Sequence, residues 1–199
     1  FAVGDTVEAR VDETRRRAIM RAHSATHLLD QALRIGEGRK LISVYAELTN
    51  VTNEECDDGF RVTLIFEGDL SMYVEVTTSN FIELPRWYIL GENGSAVIND
   101  WDLNGEIVKV SDWENRDAVP ILAGVGLTKT MAPRTDDTIK HYPLPKVDSS
   151  WTQFYENVFA ALRGEEEQLI THDQQRRLLK LVDAIFESGN ENKVVFFDK

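Results

Sequence analysis

Cysteine is almost absent from this chain: Cys56 is the only one in 199 residues. A single thiol excludes an internal disulfide and fits a reducing, cytoplasmic compartment. Proline is scarce too, with five in all, and four of them crowd into residues 112–148. No apolar run approaches the roughly 20 residues that a membrane span needs. The stretch Phe1–Arg21 is charged throughout and lacks the apolar centre of a signal peptide. Positive charge is short: 22 Lys and Arg stand against 34 Asp and Glu, a net charge of −12. That balance argues against a nucleic-acid-binding surface as the main function. No Gly-x-Gly-x-x-Gly follows a strand, so the sequence contains no dinucleotide fingerprint. A chain that starts at Phe1 reads as a fragment or a processed form.

What is present is globular. Hydrophobic residues make up 42% of the chain, enough for a sizeable core. The charge is uneven. Residues 1–34 hold six Arg and five acids, whereas the rest is strongly acidic. Arg15, Arg16, Arg17 and Arg21 form the one local basic cluster, which reads as a solvated helix face rather than a nucleic-acid contact. Cys56 lies among Glu54, Glu55, Asp57 and Asp58. These acids oppose thiolate formation, so it reads as a loop thiol rather than a nucleophile.

Hydrophobic periodicity sets the expected elements. Thr6–Val11 alternates like a strand, and Glu13–Gly36 carries apolar residues at helical spacing. Lys40–Thr49 alternates with Ile42, Val44, Ala46 and Leu48 on one face. Phe60–Phe66 and Ser71–Thr78 flank Glu67-Gly68-Asp69, and Arg86–Leu90 and Ser95–Asn99 flank Gly91–Gly94, so two hairpins are expected. Glu106–Ser111 is a further strand. Residues 112–148 read as a long irregular segment of functional or interfacial kind.

Ser150–Arg163 reads as a helix that buries Trp151, Phe154, Tyr155, Val158, Phe159 and Leu162 in the core. Glu165, Glu166 and Glu167 form a solvated loop after it. Thr171–Ser188 reads as a second helix, capped by Thr171 and burying Leu178, Leu179, Leu181, Val182, Ile185 and Phe186. Val194–Phe197 closes as a strand. The fold class is therefore α+β: an open, mostly antiparallel β-sheet with helices packed on one face.

Two resemblances overlap in this chain. Gly4–Asp12, Arg15–Arg21 and His23-Ser24-Ala25-Thr26-His27-Leu28-Leu29 resemble the opening of the alanyl-tRNA synthetase editing domain over residues 1–36. His23 and His27, at i and i+4, project from one helical face and can share a zinc ion. In that family a Cys and another His four residues apart complete the site. Here Phe60 stands four residues after Cys56. The resemblance implies a zinc-dependent hydrolase of mischarged tRNA, with His23 and His27 as the metal pair.

From His27 onward the chain resembles the C-terminal domain of the Gfo/Idh/MocA oxidoreductases. His27-Leu28-Leu29-Asp30-Gln31, Arg86–Ile98 and Leu178–Gly189 through Phe196 carry the likeness. Members bind a nicotinamide dinucleotide on a separate Rossmann domain and oxidise or reduce a sugar or polyol. Their C-terminal domain lines the substrate side and builds oligomers through its sheet. The family motif Asp-x-Gly-x-His-x-x-Asp implies His27 and Asp30 as catalytic residues, with the His as general acid/base. His23 replaces the motif's first Asp and Ala25 its Gly. The family's catalytic Glu-Lys-Pro segment is absent.

These likenesses divide the chain into residues 1–36, synthetase-like, and 37–199, oxidoreductase-like. They meet inside one helix, where a join preserves helical phase, and the chain reads as a chimera. NAD(P) is implied for the parent enzyme rather than for this chain, and zinc only under the synthetase reading. The chain is not expected to turn over alone. Trp87, Tyr88, Trp101 and Trp113 are expected on an exposed sheet face, as a homo-oligomer interface in preference to a sugar-stacking surface.

Overall fold

The computed structural model describes residues 27–36, 38–52, 54, 57–111, 118–123, 125–131, 136–147, 150 and 152–197. The expected strand Thr6–Val11, the first half of the entry helix, His23, Arg15–Arg17, Cys56, Trp113 and Trp151 lie outside these residues. The chain divides into two compact units: residues 1–81 with 154–199, and residues 82–153.

The first unit is a helix-backed antiparallel sheet in the order β10-β1-β2-β3. Its strands are β1 (Leu41–Thr49), β2 (Gly59–Phe66), β3 (Ser71–Thr77) and β10 (Val195–Phe196). The described part of helix α1 covers 27–35, and α3 is His172–Glu191. One apolar face drives the packing. Val44, Val62, Leu64 and Leu181 are fully buried, joined by Leu29, Ala32, Leu33, Leu41, Phe66, Leu178 and Ile185. Each buried Val, Leu, Ile or Phe side chain among them contributes about 1.5–3 kcal/mol of transfer free energy.

Alternation along β1 is broken once. The register shifts between Leu41 and Ser43, so Leu41 turns inward and Ile42 is left 38% exposed. This bulge moves Ile42 off the face that strict period-2 alternation assigns to it. The β2–β3 hairpin closes as expected, with Gly68 at φ 74° and Asp69 at φ 57°, the paired positive angles of a type I′ turn.

Helix α3 starts with a capping box. Thr171 Oγ1 accepts from the Gln174 N–H at 3.2 Å, and Gln174 Oε1 accepts from the Thr171 N–H at 2.9 Å. Leu178, Leu181, Ala184 and Ile185 form its buried face. Leu179 is 62% exposed and Phe186 is partly exposed, so the buried stripe is narrower than its apolar residues suggest. Ser188 ties this helix to the sheet. Its Oγ accepts the Ala46 N–H at 2.9 Å and donates to the Lys193 carbonyl at 2.6 Å. The hydroxyl thus extends the edge of β1 beyond the last β10 pairing at Val44–Val195.

Helix α2 (Thr152–Leu162) departs from expectation. Its buried residues are Asn157 and Ala160, while Phe154, Tyr155, Phe159 and Leu162 are exposed. The aromatic residues assigned to the core form an outward stripe instead. Asn157 faces inward because it ties down the following loop. Its amide donates to Glu167 O and Glu166 Oε2 and accepts from Leu169 N–H.

The second unit contains an antiparallel sheet ordered β4-β5-β6-β9 and a two-stranded ribbon, β7-β8. The strands are β4 (Trp87–Gly91), β5 (Gly94–Ile98), β6 (Gly105–Val110), β7 (Ala118–Ala123), β8 (Gly126–Met131) and β9 (Ile139–Pro143). Three strands therefore occupy the segment expected to be irregular. Proline misleads there: Pro120 lies in the two-stranded ribbon opposite Lys129, and Pro143 ends the edge strand β9. Both are places where a missing N–H donor is tolerated. Among the described residues no helix is long and apolar enough to cross a membrane.

Candidate functional site

Helix α1 positions the two residues singled out by the oxidoreductase motif. Leu29, Ala32 and Leu33 are buried and fix the helix by one face, which turns His27 toward solvent and leaves Asp30 half-buried. Asp30 Oδ2 accepts from Arg34 Nε at 2.8 Å, one helical turn on. The carboxylate is thus an i,i+4 helix partner as well as the neighbour of His27. Gly36 ends the helix where the chain passes Phe66: a Cβ there would lie 2.5 Å from the ring. His23 lies outside the described residues. Among the described residues, no three His, Cys, Asp or Glu side chains converge into a metal site.

A second histidine is better furnished than its sequence context suggests. His141 on β9 places Nδ1 2.7 Å from Glu106 Oε2 on β6. The two strands pair with Val108 opposite His141 and Glu106 opposite Pro143, which brings the side chains diagonally together on one face. A carboxylate at Nδ1 favours the tautomer with its proton there, leaving Nε2 as the free base. Both groups are about half exposed, at 54% and 51%, so the pair adds little stability. The signal for this dyad is the period-2 alternation of both strands, and it is hidden while β9 reads as irregular.

Trp87, Tyr88 and Trp101 do not share one surface. Trp87 and Tyr88 are successive strand residues and point to opposite faces. Trp101 lies in the β5–β6 turn, 83% exposed, with the Arg86 guanidinium 3.4 Å from its ring centroid. Asp100 organises that turn. Its carboxylate accepts from the Asp102 and Asn104 N–H groups and from the Asn104 side-chain amide. These bonds, those from Asn104 first, hold its pKa below the usual carboxylate range.

Asp58, in contrast, is a structural anchor. The Thr52 and Val51 backbone N–H groups hold its pKa down at about 2, helped by the Thr52 and Thr49 hydroxyls. On the outer face of the first sheet, Arg61 bridges Glu75 at 3.0 Å and Glu47 at 3.9 Å, and the Tyr73 hydroxyl donates to Glu75.

The described residues do not form a dinucleotide cradle. Every strand pair is antiparallel, whereas the pyrophosphate site of that fold rests on a parallel βαβ unit.

Residues 5–97 match the GFO/IDH/MocA C-terminal domain family. An NAD-binding protein from Listeria innocua shares 39% identity over 87% of this chain, with a TM-score of 0.75. The WlbA dehydrogenase from Bordetella pertussis, solved in complex with NADH and UDP-GlcNAcA, shares the fold at 19% identity, over 88% of this chain and with a TM-score of 0.56. The chain spans 50% of the Listeria protein and 44% of the Bordetella one. Alanine–tRNA ligases match as well. That of Roseiflexus castenholzii is 70% identical over 34 residues, 17% of this chain and 4% of the ligase. That of Ruthia magnifica is 64% identical over 119 residues, 60% of this chain and 12% of the ligase. Residues 5–97 are thus similar to the GFO/IDH/MocA C-terminal domain family, and part of the chain is also similar to alanine–tRNA ligases.

Proposed function

We propose that this chain is the substrate-side and oligomerisation domain of an NAD(P)-linked sugar or polyol oxidoreductase. The observation that carries the reading is the 39% identity with half of an NAD-binding protein, across 87% of this chain. In this reading His27, exposed at the start of the described part of α1, moves the proton of the reacting hydroxyl as general acid/base. Asp30 positions the turn that presents it. The nucleotide, held outside these 199 residues, supplies the hydride, and the chain alone gives no turnover. The apolar side of the second sheet, with Trp87, Ile89, Ile107 and Tyr142, is the surface that a second copy would cover. A reducing cytoplasm suits its single cysteine.

The test is a titration of the full chain with a panel of sugars and polyols, followed by NMR. Saturable shifts at His27 and Asp30, lost in His27→Gln, support the reading. A panel that leaves both residues unperturbed refutes it.

The ligase similarity favours a second reading, in which residues 1–36 derive from a tRNA-editing hydrolase and are joined to 37–199 as a chimera. There His23 and His27 hold zinc. Stoichiometric zinc that is lost in His23→Ala supports this origin for the segment, and zinc-free protein removes it.

A further inference from the structure

Helix α2 buries little of its own apolar surface. Phe154 is 48% exposed, Tyr155 60%, Phe159 58% and Leu162 78%. With half-buried Val158 they fall at i, i+1, i+4, i+5 and i+8. At 3.6 residues per turn these positions share a stripe about 140° wide, roughly opposite the buried Asn157 and Ala160. Phe154 and Tyr155 already stack edge to face, with centroids 5.2 Å apart. Four large exposed side chains on eleven residues exceed the scattered singles of an ordinary surface.

The charges around the stripe say what fits it. Glu156 and Arg163 stand on the same flank, seven residues apart, and Arg163 is held in place by two 2.7 Å bonds to Glu165. A second α2 laid antiparallel across the stripe sets Glu156 of each copy beside Arg163 of the other. The helix ends complement each other in the same arrangement. α2 has no acidic residue in its first turn and no basic residue in its last, so its dipole is uncompensated from within. Glu165, Glu166 and Glu167 follow its C-terminus. Antiparallel pairing delivers these acids to the second copy's α2 N-terminus, where negative charge is favourable.

We infer that α2 forms a two-fold, helix-on-helix contact with a second copy of this chain. The contact is distinct from the sheet-face contact proposed above. It is isologous, since the same stripe and the same charge flank serve both partners. If both contacts form, the assembly is a tetramer built from two kinds of two-fold interface.

Sedimentation equilibrium on the full chain tests this, with circular dichroism confirming that each variant is folded. Phe159→Glu is expected to weaken self-association by roughly thirtyfold, the effect of losing an anchor residue. Leu162→Ser, at the more exposed end of the stripe, should weaken it in the same direction. Glu156→Arg and Arg163→Glu should each weaken association, and together they should restore it. Ile89→Lys acts on the sheet face alone, so loss of association there with Phe159→Glu unaffected sinks the helix contact and keeps the sheet reading. A wild-type monomer at all concentrations overturns it. So does failure of the double charge swap to restore what the single changes remove.

Discussion

Replacing Ser188 with alanine removes one oxygen and leaves two groups without their partner. The side chain is fully buried. Its hydroxyl satisfies the Ala46 N–H at 2.9 Å and reaches the Lys193 carbonyl at 2.6 Å. Ala46 is 1% exposed, so water cannot replace the lost acceptor without opening the helix–sheet seam. A stranded buried donor costs about 1–3 kcal/mol. Packing loss is minor, because alanine fills most of the same volume. For a chain of this size each kcal/mol lowers the melting temperature by about 2–4 °C. The expected fall is therefore about 2–12 °C. The assay is thermal unfolding followed by far-UV circular dichroism, with amide exchange of Ala46 read in parallel. Exchange at Ala46 should accelerate more than at Leu64, which lies in the middle of the sheet. A melting temperature within about 1 °C of wild type, with Ala46 still protected, refutes the assigned role of the hydroxyl.

Gly189→Ala should destabilise, against the usual gain of a helical alanine, because the new Cβ would lie 2.5 Å from Leu48 Cγ. Overpacking of this kind costs about 1–3 kcal/mol, and a raised denaturation midpoint would contradict the close approach. Asp58 gives a pH signature. Its folded pKa of about 2 lies below its ordinary 3.8, so its stabilisation is complete above the unfolded value and disappears as pH falls through about 2. Urea midpoints measured from pH 5 downward should drop in the wild type and drop less in Asp58→Asn; parallel curves would count against the anchor. Asn157→Ala should speed proteolysis in the α2–α3 loop, since its side chain holds Glu167 O and the Leu169 N–H; unchanged cleavage would show that the loop is held otherwise.

Local chemistry made much of the first unit legible from sequence. Thr171 announced a helix cap, and Glu67-Gly68-Asp69 announced a hairpin turn; both are present, the cap as a full capping box with Gln174. These signals act over a few residues and need no tertiary context. Ile42 was misassigned because a bulge is a property of the strand pair, invisible in one strand. The strands β7, β8 and β9 were hidden for a related reason. Proline breaks a central strand, yet a ribbon or an edge tolerates it, and only the topology says which applies. The α2 aromatics show the limit of periodicity: it finds the helix and its apolar stripe but cannot tell which side is buried. The candidate pair His27 and Asp30 lies on one helix, as the helical spacing of the segment leads one to expect. The His141–Glu106 pair spans 35 residues and becomes visible only once β6 and β9 are known to be neighbours.

The strand order of the first sheet also dictates when it can be finished. β10 docks beside β1 although about 150 residues separate them in the chain. During synthesis the ribosome delivers residues 82–153 before it delivers 195–196. The β4–β5–β6 hairpins, which need only near neighbours, can therefore close while the edge of β1 still waits for its last partner. Until then the Ala46 N–H remains exposed, and a nascent chain stalled before residue 188 has an open strand edge to shield.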